Sequence, residues 1–138
     1  MKKILFAILI VIVSSSGCEK LKDELTITDG TYTGTFQRQL AFGGGEIANV
    51  SITFSSNTWT GQSDRQKYPA LCNGTHTIED EKIIFTNDCA WTADFDWSLI
   101  LGGEYDLNLD GDRLEITRDY RGPASDTYID VYILSKQE

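Results

Sequence analysis

The chain has 138 residues, of which 41% are hydrophobic and 11% aromatic, with only two prolines. That is one packed domain, too short for two ordinary ones and too apolar for a disordered tail. Twenty-one acidic groups against twelve basic ones leave a formal net charge of −9, which would repel polyphosphate and argues against a nucleic-acid binder.

The N-terminus carries an address. Lys2 and Lys3 form a charged start, and Ile4 to Val13 form an apolar run of about ten residues. A membrane span needs roughly 20 such residues, so the run fits a secretory leader better. Ser14-Ser15-Ser16-Gly17 then leads into Cys18. Small residues ending in Gly-Cys resemble a bacterial lipoprotein signal, here with Ser15 where Leu is usual. The resemblance implies a signal peptide over 1–17, a lipidated Cys18, a tether over 18–27 and a domain over 28–138. Several acyl chains on one cysteine anchor stably, at roughly 0.8 kcal/mol per buried methylene. Glu19 stands where an Asp would signal inner-membrane retention, so an outer-membrane lipoprotein is expected. Lys22-Asp23-Glu24 resembles the Lys-then-acidic export signal of surface lipoproteins in the Bacteroidota; it also reads as a solvated tether. Cleavage before Cys18 removes Lys2 and Lys3, leaving ten basic against 21 acidic groups and a net charge of −11.

With Cys18 assigned to lipid, Cys72 and Cys89 remain, in an oxidising compartment where one pairing is open to them. Thr75 to Ile78 and Ile83 to Phe85 read as strands around Glu79-Asp80-Glu81-Lys82. A hairpin turning symmetrically at Asp80-Glu81 opposes Ile78 to Ile83, His76 to Phe85 and Cys72 to Cys89. Directly opposed Cβ atoms lie about 4.5–5.5 Å apart, near disulfide reach.

The rest of the domain reads as strands, with no convincing amphipathic helix. Strand one covers Thr31 to Gln39, with Tyr32, Gly34 and Phe36 on one face, and strand two covers Asn49 to Ser55. A tight turn at Ser56-Asn57 opposes Phe54 to Trp59 on strand three. Strands four and five form the cysteine hairpin. Strand six, Glu104 to Leu109, turns at Asp110-Gly111 into strand seven, Arg113 to Tyr120, pairing Leu107 with Leu114, Tyr105 with Ile116 and Asp106 with Glu115. Strand eight covers Thr127 to Leu134, with Ile129, Val131 and Ile133 expected inward. Eight strands joined in order by hairpins predict an all-β, antiparallel up-and-down barrel without an exposed edge.

Loop lengths separate the two ends. Connections two–three, four–five and six–seven are tight, whereas Leu40 to Gly45, Gln62 to Leu71, Ala90 to Gly103 and Arg121 to Asp126 are long. The long loops hold Phe42, Tyr68, Trp91, Phe95 and Trp97. The lipid tether enters at the pinched end, so an open, loop-crowned mouth is expected to face away from the membrane, over an interior with room for side chains or one small ligand.

Gly30-Thr31-Tyr32-Thr33-Gly34-Thr35-Phe36 resembles the Gly-x-Trp opening of lipocalins, with Tyr32 in place of Trp. Together with Lys67 to Thr75 and Cys89 to Trp97, it makes most of 28–135 resemble the lipocalin-like (calycin) barrels, specifically the small lipocalin-like lipoproteins of the Bacteroidota. The resemblance implies the barrel fold and leaves the activity undefined.

Several residues invite a chemical reading. Asp106 to Asp112 alternates acidic groups as a calcium loop begins, but Thr117 stands where a bidentate Glu is needed, so a hairpin is the expectation. Arg118, in phase with Leu114 and Ile116, points inward; it is either an anchor for an anionic ligand or a structural cation, ion-paired or stacked on Tyr32. His76 reads as a packed core residue. Trp91, Phe95 and Trp97, with Asp94 and Asp96, either grip a sugar or apolar ligand or plug the barrel top. The candidate ligand-contacting residues are therefore Tyr68, Trp91, Phe95, Trp97, Arg118 and Tyr120. No nucleophile–base pair, metal set or cofactor motif is visible, so no enzyme activity is expected. Two functions remain: binding of a small apolar or glycan-like ligand at the mouth, or capture of a basic protein by an acidic barrel, as lysozyme-inhibitor lipoproteins of similar size do.

Overall fold

A computed structural model describes residues 24–40, 42–92, 94–122 and 128–138. The leader 1–17 and Cys18 lie outside these residues. Eight strands form one closed antiparallel barrel in sequence order: β1 (Gly30–Leu40), β2 (Gly43–Ser55), β3 (Thr58–Ser63), β4 (Asn73–Glu79), β5 (Lys82–Phe85), β6 (Gly103–Asp110), β7 (Arg113–Asp119) and β8 (Tyr128–Lys136). The one helical turn among the described residues is the 3-10 turn Trp97–Leu99.

Two hairpins have the expected register. Phe54 opposes Trp59, and β4–β5 pairs His76 with Phe85 and Ile78 with Ile83. Extending the second register four residues past β5 brings Cys72 and Cys89 to a Cα separation of 6.4 Å, where they form the disulfide.

Three expectations are corrected. First, β6–β7 is shifted by two residues: Leu107 opposes Ile116, Leu109 opposes Leu114 and Asp110 opposes Arg113. The turn is therefore centred on Gly111-Asp112, with Gly111 at φ +59°. Glycine enters the left-handed region without steric cost, so it takes a turn-central position that Asp110 would occupy less easily. The shift also sets Glu115 against Asn108, removing the like-charge contact with Asp106. A two-residue slip preserves which face each side chain occupies, so the core is unaffected.

Second, β8 is turned over. Asp130, Tyr132 and Leu134 are buried, and Ile129, Val131 and Ile133 face outward. Third, the first connection is short: β1 runs to Leu40, β2 starts at Gly43, and the two residues pair. Strand β3 likewise extends through Gln62 to Ser63. At the pinched end, Leu25 and Ile27, placed in the tether by sequence, pack against the core.

The interior is an aromatic relay. Tyr32 meets Phe54 edge-on at 5.6 Å, Phe54 lies 5.0 Å from His76 and 6.4 Å from Phe85, and Phe85 meets Tyr105 at 5.8 Å. Tyr105 continues to Tyr132 at 6.2 Å, and Tyr132 to Phe36 at 4.7 Å. Edge-to-face pairs at these distances add about 0.5–1.5 kcal/mol each beyond their burial. Aliphatic residues such as Ile52, Ile83, Leu114 and Ile116 fill the gaps.

Candidate functional site

Among the described residues, two of the long connections meet across the loop end as a cap. The β3–β4 and β5–β6 connections brace each other: Ala70 N–H donates to Leu99 O (2.9 Å) and Leu101 N–H donates to Ala70 O (3.2 Å). Ala70 and Leu101 are buried, and Leu99 packs on the core.

Beneath this cap sits an ion pair that sequence reading missed. Arg38 is 8% exposed and Asp130 is 2% exposed. The guanidinium donates to both Asp130 oxygens, from Nε and Nη2, at 2.7 Å each. Its Nη1 donates to Asp96 Oδ2 (2.9 Å) and Ser98 Oγ (3.0 Å), and Nη2 also reaches Ser98 O (3.2 Å). The same group lies over Tyr128, 4.4 Å from the ring centroid. Burial alone would lower the Arg38 pKa, but hydrogen bonding to Asp130 and the nearby carboxylates outweigh it and raise it, so Arg38 is a fixed cation. Burial raises the Asp130 carboxyl above its ordinary range, and Arg38 pulls it back only in part. Asp96 is held low, chiefly by hydrogen bonds from Ser98. Arg38 thus clamps the 3-10 turn of the cap onto the barrel wall.

The signal for this pair was in the phase of β1. Arg38 follows Tyr32, Gly34 and Phe36 at two-residue spacing, so it had to point inward, and a buried cation requires a carboxylate nearby. Asp130 is the matching carboxylate, directly opposite Arg38 on β8.

The six candidate residues fall into three places. Trp91, Phe95 and Trp97 come together on the outside of the cap, with ring centroids 5.6 Å apart for Trp91–Phe95 and 6.5 Å, nearly parallel at 27°, for Phe95–Trp97. Trp97 is 56% exposed. Trp91 is oriented by its indole N–H donating to Asn87 Oδ1 (2.9 Å), and Lys67 Nζ lies 4.8 Å from the Phe95 centroid while reaching Thr92 Oγ1. Arg118 and Tyr120 form a second group under the cap. Arg118 lies over Tyr120 (4.7 Å) and Tyr105 (5.4 Å), not over Tyr32, and donates to Gly102 O at 2.9 Å. Tyr32 is at the other end of the barrel, its hydroxyl bonded to Thr28. Tyr120 donates to Ser98 O (3.3 Å), and burial raises its phenol pKa. Tyr68 stands apart: its ring packs on Phe36 at 5.2 Å and its hydroxyl donates to Glu46 O.

At the opposite end lies a groove of about 1040 Å³, lined by Leu25, Ile78 and Leu107 among the carboxylates Glu79, Glu81, Asp106 and Glu115, with Lys82 paired to Asp106 on the same lining. The acidic run Asp106 to Asp112 spans the β6–β7 hairpin, as expected. Among the described residues, no three His, Cys, Asp or Glu side chains converge as metal ligands.

Fold and site together define a small capped eight-stranded barrel with an exposed aromatic shelf at its loop end. No protein-family profile, curated protein or solved structure matches the chain.

Proposed function

We propose that the protein is a non-catalytic, lipocalin-like lipoprotein of the outer membrane, exposed at the cell surface. It is anchored through Cys18 and binds a small apolar or glycan-like ligand at its loop end. The observation that carries this reading is the shelf: Phe95 and Trp97 stacked at 27°, with Trp97 more than half exposed. An exposed, preoriented pair of ring faces suits the apolar face of a sugar or a flat apolar molecule. The turn beneath it is held by Arg38 through Asp96 and Ser98, so little ordering entropy remains to oppose binding. The ligand is taken on top of the cap, since the space beneath is occupied by the aromatic relay and the Arg38–Asp130 pair.

Tryptophan fluorescence tests the reading. Trp59 is buried and donates to Thr86 O, so a ligand-induced change reports on Trp91 and Trp97. Titration with an apolar probe and with neutral oligosaccharides is expected to give a saturable change with one of them, lost in Trp97→Ala. No saturable change with either class refutes it.

The acidic groove favours a second reading, capture of a basic partner protein at the hairpin end. Salt separates the two, because charge-driven capture weakens steeply with ionic strength and stacking on the shelf barely changes.

A further inference from the structure

The outer wall of the barrel is divided by charge. Outward side chains alternate along β1 from Thr31 to Gln39, β2 from Ile47 to Ser55, β3 from Thr58 to Gln62 and β8 from Ile129 to Ser135. Every one of them is Ser, Thr, Asn, Gln, Ile or Val. These four strands are neighbours in the barrel, so the uncharged positions form one continuous wall. The opposite wall, on β5 to β7, carries Lys82, Glu104, Asp106, Asp110, Arg113 and Glu115. In a chain with 24% charged residues, the uncharged wall is where charge should have been most abundant, since it faces solvent.

We propose that this wall is where a second copy of the chain docks, face to face. A closed barrel offers no free strand edge, so association has to use a face of the sheet. Each copy is strongly acidic, with a formal net charge of −9 over the full chain, and this approach keeps the acidic β5–β7 walls apart; the carboxylates nearest the wall, Asp64 bonded to Asn49 and Glu46 paired with Arg65, lie at its loop-end margin. Depletion of charge is the compositional mark of an interface core. The apolar centre is supplied by Ile47, Val131 and Ile133, which flank β1 at Gln37 and Thr35. Part of the hydroxyl surface is already satisfied internally, Thr31 Oγ1 and Thr53 Oγ1 lying 2.8 Å apart, which lowers the cost of drying it. Four strands about 4.8 Å apart and about nine residues long at ~3.3 Å give roughly 600 Å² per copy. Stable interfaces bury about 800 Å² per partner, so the dimer is a reversible one.

Photo-crosslinking of the full chain in the cells that make it tests the proposal. With p-benzoylphenylalanine in place of Gln37, irradiation is expected to yield a species of twice the chain's mass; with it in place of Glu115, none. Val131→Lys with Ile133→Lys should cut the Gln37 yield about tenfold while leaving the thermal midpoint of the purified protein unchanged, because both side chains point outward. Absence of the doubled species, an adduct of any other mass, an equal yield from Glu115, or a Gln37 yield unaffected by the two lysines overturns the proposal.

Discussion

Replacing Asp130 with Asn is expected to destabilise the fold by about 3–5 kcal/mol, because it strands a buried guanidinium. The carboxylate is 2% exposed and receives two 2.7 Å bonds from a side chain that is itself 8% exposed. After the substitution, the one carboxylate among the described residues still bonded to Arg38 is Asp96, whose side chain is 56% exposed. A domain of this kind has about 5–15 kcal/mol in total, so the loss is a large share of it, and a thermal midpoint drop of roughly 12–20 °C follows for about 110 ordered residues. Asp96→Ala removes a partner from the same guanidinium, but at the surface, and should cost no more than about 1 kcal/mol. Replacing both buried partners, Arg38→Met with Asp130→Leu, leaves no charge in the core and should return close to the starting stability. Urea unfolding followed by Trp59 emission, compared at constant slope, measures all four proteins. An Asp130→Asn cost below 1 kcal/mol, or one equal to that of Asp96→Ala, would show that Arg38 is not held by a buried pair.

Three further outcomes are expected. His76 is buried edge-on to Phe54, its Nδ1 has no hydrogen-bond partner among the described residues, and burial lowers its pKa below the ordinary value near 6.5. The unfolded chain therefore takes up this proton first, so stability should fall as pH drops below about 6.5, by at most ~1.4 kcal/mol per unit; urea midpoints at pH 7.5, 6.5 and 5.5 should show that part of the slope vanish in His76→Phe. The Cys72–Cys89 bridge spans 17 positions, and its reduction should cost about 3 kcal/mol, read as a lower urea midpoint in dithiothreitol. At Gly34 an added Cβ would stand 1.9 Å from the backbone oxygen of Ile133; Gly34→Ala must push β8 away from β1, and proton-exchange protection of the Thr35 and Ile133 amides should collapse, whereas Gly111→Asn, at a left-handed turn position that Asn tolerates, should leave it intact.

Much of the fold was legible in local pattern. The alternation in β2 is one case: Val50, Ile52 and Phe54 are in phase, and with the Ser56-Asn57 turn they set both the strand and its pairing to Trp59. The cysteine hairpin was equally readable, since one symmetric turn accounted for Ile78–Ile83, His76–Phe85 and the disulfide together. The β6–β7 turn was misplaced because Asp110-Gly111 and Gly111-Asp112 are both good turn pairs, and both registers keep Leu107 and Ile116 inside. The aromatic shelf was found as a cluster in one loop, but the split of the other candidates was not. Arg118 and Tyr120 share phase and end with Tyr105 only through the β6–β7 pairing, and Tyr68 is drawn to Phe36 across the barrel.

By itself the sequence determined the number of strands, their order, most turns and the disulfide, because period-two hydrophobicity and turn chemistry act between residues close in the chain. It could not decide which face of β8 turns inward. Tyr128, Asp130, Tyr132 and Leu134 compete there with Ile129, Val131 and Ile133, and both rows are apolar enough to be buried. Only the closed barrel decides between them, by bringing β8 beside β1. There the buried guanidinium of Arg38 demands the Asp130 carboxylate, and Phe36 offers Tyr132 a ring to pack on. The aliphatic row is then left outside, and with it the uncharged wall.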